Sequence, residues 1–185
     1  MTGLRQPDGP ETERRADEYA ALVDRLAGDG PERTAAYQAL VEAGPPAREA
    51  VRAGLRHGHW QVRRWCALWF DHHADPASLH ALVPLLRDSK AKVRHFAVHA
   101  IACDRCKAGE NPVDVVPLLV ERIREDESLR VRRHAVVMLA FQHAHPDLEA
   151  FFRELLETET DRRLRLHAGI GLLRCREKAG KPASG

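Results

Sequence analysis

The chain is poor in the features that mark most enzymes, membrane proteins and secreted domains. Aromatic residues make up only 5% of it, and net charge is +2 with histidine neutral. So small a charge gives no global bias toward nucleic acid, and any electrostatic role must rest on how charges are distributed. No apolar run approaches the ~20 residues needed to span a bilayer. Residues Met1 to Arg15 are polar and charged and lack the apolar centre of a secretory leader. These features predict a cytoplasmic protein with no membrane contact. The four cysteines are then expected as thiols or metal ligands rather than disulfides. Nucleophile elbow, phosphate loop and paired-carboxylate patterns are missing as well, so no catalytic residues are expected and the chain reads as a non-enzyme.

What the chain has in abundance is alanine, leucine and arginine, all good helix formers, and an internal echo. Glu32-Arg33-Thr34-Ala35-Ala36, Val62-Arg63-Arg64-Trp65-Cys66, Val93-Arg94-His95-Phe96-Ala97, Val131-Arg132-Arg133-His134-Ala135 and Leu164-Arg165-Leu166-His167-Ala168 share an arginine second and a small residue fifth. The arginines are 30, 31, 38 and 33 residues apart. Such a period predicts a solenoid of stacked helical hairpins, a class that more often binds through an extended surface than performs chemistry.

The helical pattern divides into ten segments. Amphipathic spacing and breaks at Gly28–Pro31 and Gly44-Pro45-Pro46 place helices over Glu13–Ala27 and Arg33–Ala43. The alternation continues through Arg48–Arg56 with Gln61–Phe70, Pro76–Arg87 with Lys92–Ala102, Val113–Arg124 with Arg130–Phe141, and Pro146–Glu157 with Asp161–Arg176. The expected organisation is a disordered lead over 1–12, an all-α right-handed solenoid of about five hairpins over 13–176, and a flexible tail over 177–185. In the second helices, Val62, Cys66 and Phe70; Val93, Ala97 and Ile101; Val131, Ala135 and Leu139; and Leu164, Ala168 and Leu172 form i, i+4, i+8 stripes expected to face the first helices.

This pattern resembles HEAT repeats, particularly the short bacterial kind first associated with phycobilisome lyase-like proteins. The matching residues are the acid, the Val-Arg pair and the following Ala and aliphatic residue, standing here as Asp88, Val93, Arg94, Ala97 and Ile101, and as Asp126, Val131, Arg132, Ala135 and Leu139. The resemblance spans roughly Arg15 to Arg176. It implies scaffolding and protein binding, while a few members act on tetrapyrroles or alkylated DNA.

Arginine early in a helix opposes the helix dipole, so its recurrence needs a partner. Asp88, Asp126 and Glu159 each lie six residues before a ladder arginine, and Asp29 lies four before Arg33. The guanidinium is expected to bridge the loop of its own repeat or to bond the acid of the next. The neighbouring basic residues Arg64, Lys90, Lys92, His95, Arg130, Arg133, Arg162 and Arg163 fall at the same end of successive helices. Stacking would align them into a stripe.

The functional expectation is a scaffold that binds a protein partner through the inner row of second helices, at Arg64, Leu68, His95, His99, Arg133, Val137 and Ile170. The alternatives are a nucleic-acid-binding protein using the basic stripe, and a lyase-like, redox or metal-linked protein. Trp60, Trp65 and Trp69 read either as packing between repeats or as a binding groove. Leu166, Ile170 and Leu173 leave the last helix apolar on a second face, which suggests a homodimer or partner contact there.

Cys103-Asp104-Arg105-Cys106 has the spacing at which one turn of chain presents two thiolates to zinc. His99 precedes it by one turn, and His72, His73, His143 and His145 are candidate further ligands; a redox pair is the other chemistry open to the two thiols. The same stretch is where the period slips. The interval from Arg94 to Arg132 exceeds the preceding one by seven residues. If Pro84 and Pro117 are equivalent, the first helix of that repeat is longer by more than one turn.

Overall fold

A computed structural model describes residues 9–106, 111–142, 145 and 147–179. Among these there is no strand. The order is α1 (Gly9–Arg25), α2 (Gly30–Ala43), α3 (Arg48–Gly54), α4 (Trp60–His73), α5 (Pro76–Leu82), α6 (Ala91–Ala102), α7 (Val115–Glu125), α8 (Leu129–Leu139), α9 (Leu148–Thr158) and α10 (Arg162–Ala179), with short 310 turns at Pro45–Ala47, Val83–Arg87 and Asp104–Cys106. Helix α1 begins at Gly9, inside the segment expected as a lead, and α10 runs to Ala179. No helix is long and apolar enough to cross a membrane among the described residues.

Local chemistry explains most boundaries. The Asp29 carboxylate accepts from the Glu32 amide at 3.1 Å and the Asp75 carboxylate from the Ser78 amide at 2.8 Å, and a proline opens the first turn after each cap. Both devices satisfy or remove amides that a helix start leaves unbonded. Gly44 closes α2 at a φ of +61°, which a side chain would strain, and Pro45-Pro46 cannot continue the helix. Pro84 has no N–H, and its ring would strike the carbonyl four residues back. The chain after Leu82 therefore tightens into a 310 turn.

The helices form five antiparallel hairpins. The second helices α4, α6, α8 and α10 lie side by side in one row, with α3, α7 and α9 each packed on its own partner. The predicted stripes are the core. Val62, Cys66, Phe70, Val93, Ala97, Ile101, Val131, Ala135, Leu139, Leu164 and Ala168 are sealed from solvent, and Leu172 is half-buried. One register holds for the whole row. Residues three and seven of the α4, α6 and α8 repeats lie off the core stripe and are half-buried, and residue four meets the preceding repeat. Tyr37 accordingly packs on Trp65 at 4.8 Å, and His95 on His134 at 4.2 Å.

The arginine ladder joins the two arrangements that the sequence left open. Arg63 donates to the carbonyls of His57 and Gly58 in its own loop and grips Asp88 of the next repeat at 2.6 and 3.0 Å. Arg94 repeats this with the Asp88 carbonyl at 2.7 Å and Asp126 at 2.7 and 2.8 Å. Arg132 holds the Ile123 carbonyl and Glu159. Each acid six residues before an arginine thus serves the arginine of the preceding repeat. Asp29 does not join, because it caps α2. Repeat two carries His57 where the acid would stand, and Arg33 donates to Gln61 instead. Fork-shaped pairs of this kind fix orientation as well as distance.

One expectation about the period is corrected. Helix α7 is no longer than the corresponding stretch Pro76–Arg87. The inserted residues lie between α6 and α7, where residues 103–114 join the helices, against residues 74–75 between α4 and α5. Pro84 and Pro117 are not equivalent. Pro84 sits in a 310 turn and Pro117 in the first turn of α7. The slip is therefore a loop insertion, and it contains both cysteines of the Cys-x2-Cys pair.

Candidate functional site

The seven residues expected to meet a partner, Arg64, Leu68, His95, His99, Arg133, Val137 and Ile170, lie on α4, α6, α8 and α10 and are each half-buried. They are not equally free. Arg133 is held by Asp161, with one contact at 3.0 Å. The Arg64 guanidinium lies 5.3 Å from the Trp65 ring and 4.7 Å from the Phe96 ring. Its Nε is sealed without a hydrogen-bond partner. Burial, with Arg33 and Arg130 nearby, lowers its pKa. Among the described residues no carboxylate lies within ion-pair distance of Arg64, Lys92 or Arg130. Of the acids interleaved with the basic stripe, Asp88 and Asp161 each face an arginine of the preceding repeat, as do Asp126 and Glu159, whereas Glu125 and Glu127 remain largely exposed.

At the other end of the same row Leu166 and Leu173 are each 60% exposed, the most open large apolar side chains described. The tryptophans divide between roles. Trp69 is core, with its Nε1 donating to the Leu40 carbonyl at 2.9 Å. Trp65 and Trp60 are half-buried, and Lys92 lies 5.5 Å from the Trp60 ring.

Near the middle of the row the structure brings together Asp71 from the last turn of α4, His99 from α6, and Cys103 and Cys106 from the inserted loop. One ligand atom from each falls within 4.8 Å of the others. The two sulfurs are 3.0 Å apart, and His99 Nε2 is 3.2 Å from Asp71 Oδ2. His99 Nδ1 faces His134 Nε2 of α8 at 3.3 Å. Asp71 is buried, and its Oδ1 has no hydrogen-bond partner. Burial raises the Asp71 pKa, but the His99 hydrogen bond, the charges of His99 and His72 and the hydrogen bond from the Cys106 thiol outweigh it, and the net shift is downward. Burial pushes the Cys106 thiol up to about 12, helped by Cys103 and the Asp71 charge. Burial also brings His134 down to about 3 and His95 to about 4, so both rings are neutral at physiological pH.

Of the ligands expected for a metal, Cys103, Cys106 and His99 converge. His73 stacks on Trp69 at 4.3 Å, His72 lies 3.5 Å from Asp71 on the exposed side, and His145 stands near Asp147. None of these three belongs to the cluster. His143 lies outside the described residues. Asp71 was missed, although the sequence offered a signal. An acid in the last turn of a helix opposes the dipole, and Asp71 is such an acid with no basic partner in its own turn except histidine.

The stacked hairpins, the shared register and the carboxylate rungs define an α-helical repeat protein. A sequence model for HEAT repeats matches residues 48–140, and the chain belongs to the HEAT-repeat family. A crystal structure of an engineered protein is similar in fold, with a TM-score of 0.53, 17% identity, and coverage of 91% of this chain and 93% of the other. No curated protein gives a significant match.

Proposed function

We propose that this protein is a non-enzymatic adaptor whose inner helix row binds an acidic protein segment with apolar side chains at one end. The observation that carries this reading is Arg64. Its guanidinium is fixed by two aromatic rings and faces no carboxylate, while the ladder acids beside it are all engaged. A pre-positioned arginine over aromatic rings is the composition of an interface hot spot. Lys92 and Arg130 extend the positive area, and Ile170, Leu166 and Leu173 supply the apolar end. HEAT repeats commonly serve as protein-interaction scaffolds, which agrees with this use of the row.

The test is titration of a purified partner, isolated on the wild-type protein, against wild type, Arg64→Glu and Leu166→Glu. Each variant is expected to weaken binding about thirtyfold, the loss of one hot spot of ~2 kcal/mol, with helical circular dichroism unchanged. Full affinity in both variants would remove the inner row from consideration. Oligonucleotides provide the discriminating control. Binding that is steeply salt-dependent and flattened by Arg64→Glu would favour nucleic acid instead.

Leu166→Glu also tests self-association through α10. If two copies meet there, light scattering shows a dimer for wild type and a monomer for the variant. A wild-type monomer excludes the dimer and leaves the heterologous partner.

A further inference from the structure

We propose that Asp71, His99, Cys103 and Cys106 bind one zinc ion, which fastens the inserted loop onto the inner helix row. The four residues supply two sulfurs, one imidazole nitrogen and one carboxylate oxygen, all within 4.8 Å of one another. Donors held tetrahedrally at zinc bond lengths of about 2.0–2.3 Å stand roughly 3.3–3.8 Å apart. The observed separations of 3.0 Å between sulfurs and 3.2 Å between His99 and Asp71 need only side-chain adjustments to reach that figure.

The second observation is independent of spacing. Asp71 Oδ1 is buried with no hydrogen-bond partner, and the carboxylate sits at the negative end of α4 beside two thiols. Burying a carboxylate oxygen without a partner is costly. A cation is the chemistry that resolves it. Mixed thiolate, imidazole and carboxylate donors favour zinc over magnesium or calcium, which take oxygen alone.

The surroundings suit the ligand roles. With Nε2 of His99 on the metal, its Nδ1 would stand 3.3 Å from Nε2 of His134, placed to donate to it. Such an outer partner fixes the tautomer and orientation of a ligand. Neither chain end supplies a donor: all four come from α4, α6 and the segment inserted between α6 and α7. On binding, the thiols of Cys103 and Cys106 lose their protons to solvent as two zinc–sulfur bonds form, with no change in oxidation state.

The experiment uses full-length protein purified in reducing buffer, stripped with a chelator and titrated with zinc against a chromophoric competitor, then separately with cobalt. The expected result is one equivalent of metal per chain, with the visible bands of tetrahedral cobalt and thiolate-to-cobalt charge transfer. The charge-transfer band weakens in Cys103→Ser and Cys106→Ser, and the visible bands change in Asp71→Asn. His134→Phe places in this slot the residue that Phe96 supplies one repeat earlier, so packing is retained. It is expected to weaken zinc binding about 10–100-fold. Asp71→Asn keeps the size of the side chain, and helical circular dichroism of its metal-free form checks that the fold is retained. Failure of the reduced protein to take up zinc or cobalt overturns the site, as does undiminished binding in Asp71→Asn. A Cys103–Cys106 disulfide that persists in reducing buffer overturns it in favour of a redox pair.

Discussion

Replacing Asp126 by alanine is expected to destabilise the protein by about 3–5 kcal/mol, the largest effect of any ladder residue. Asp126 is buried, and it accepts from Arg94 at 2.7 and 2.8 Å and from the Ser128 amide at 2.8 Å. Arg122 adds a further guanidinium 3.6 Å away. Removing this carboxylate leaves the buried Arg94 with little compensation, while Arg122 keeps Glu121. Arg94 keeps only the Asp88 carbonyl and a 3.3 Å contact to the exposed Glu127. Arg94→Ala should cost less, because Asp126 would retain Arg122 and Ser128. Urea unfolding followed by helical circular dichroism measures both. For a domain of this size the melting temperature should drop by roughly 10 °C in Asp126→Ala, at about 2–4 °C per kcal/mol. The control is Arg165→Ala, where a change within about 0.5 kcal/mol is expected. An Asp126→Ala protein as stable as wild type would show that the rungs are ornaments on an apolar stack.

Trp69→Ala is expected to cost about 3–5 kcal/mol. Trp69 is almost fully buried and meets Phe70 edge-on at 5.1 Å and His73 at 4.3 Å. Its Nε1 donates to the Leu40 carbonyl of the first hairpin. The substitution therefore opens a cavity and removes one of two hydrogen bonds on the Leu40 carbonyl, which keeps the Gly44 amide. Repeat arrays depend on contacts between neighbours, so the first hairpin should become the least protected part of the chain. Hydrogen exchange should show α1 and α2 exchanging faster than α8. Trp69→Phe separates the terms, since it keeps most of the volume and loses only the donor. Its cost should be about 1–3 kcal/mol.

The sequence carried the fold because each repeat wrote the same local rules again. Val62, Val93, Val131 and Leu164 lead four helices in one register, and burial follows it residue for residue. The acids and arginines were legible as partners, but their direction was not. Six residues of spacing left open a bridge to the loop of the same repeat and a bond to the acid of the next, and the stacking of helices shows both, with Asp88 held by Arg63. The place of the insertion was misread because Pro84 and Pro117 look alike in sequence. Their backbones differ, one 310 and one α-helical. The cysteine cluster was half visible. Cys103, Cys106 and His99 announce themselves by local spacing, whereas Asp71 arrives from a helix 28 residues earlier than His99. Long-range convergence of this kind is a property of the packed row, and no single segment contains it.

The ladder also gives the array a direction of growth. Every rung reaches forward, from an arginine to the loop of the following repeat, and the final arginine, Arg165, has no carboxylate ahead of it among the described residues. A further hairpin with an acidic loop would therefore complete a rung with Arg165 if appended after α10. That end of the row is where Leu166 and Leu173 stand uncovered.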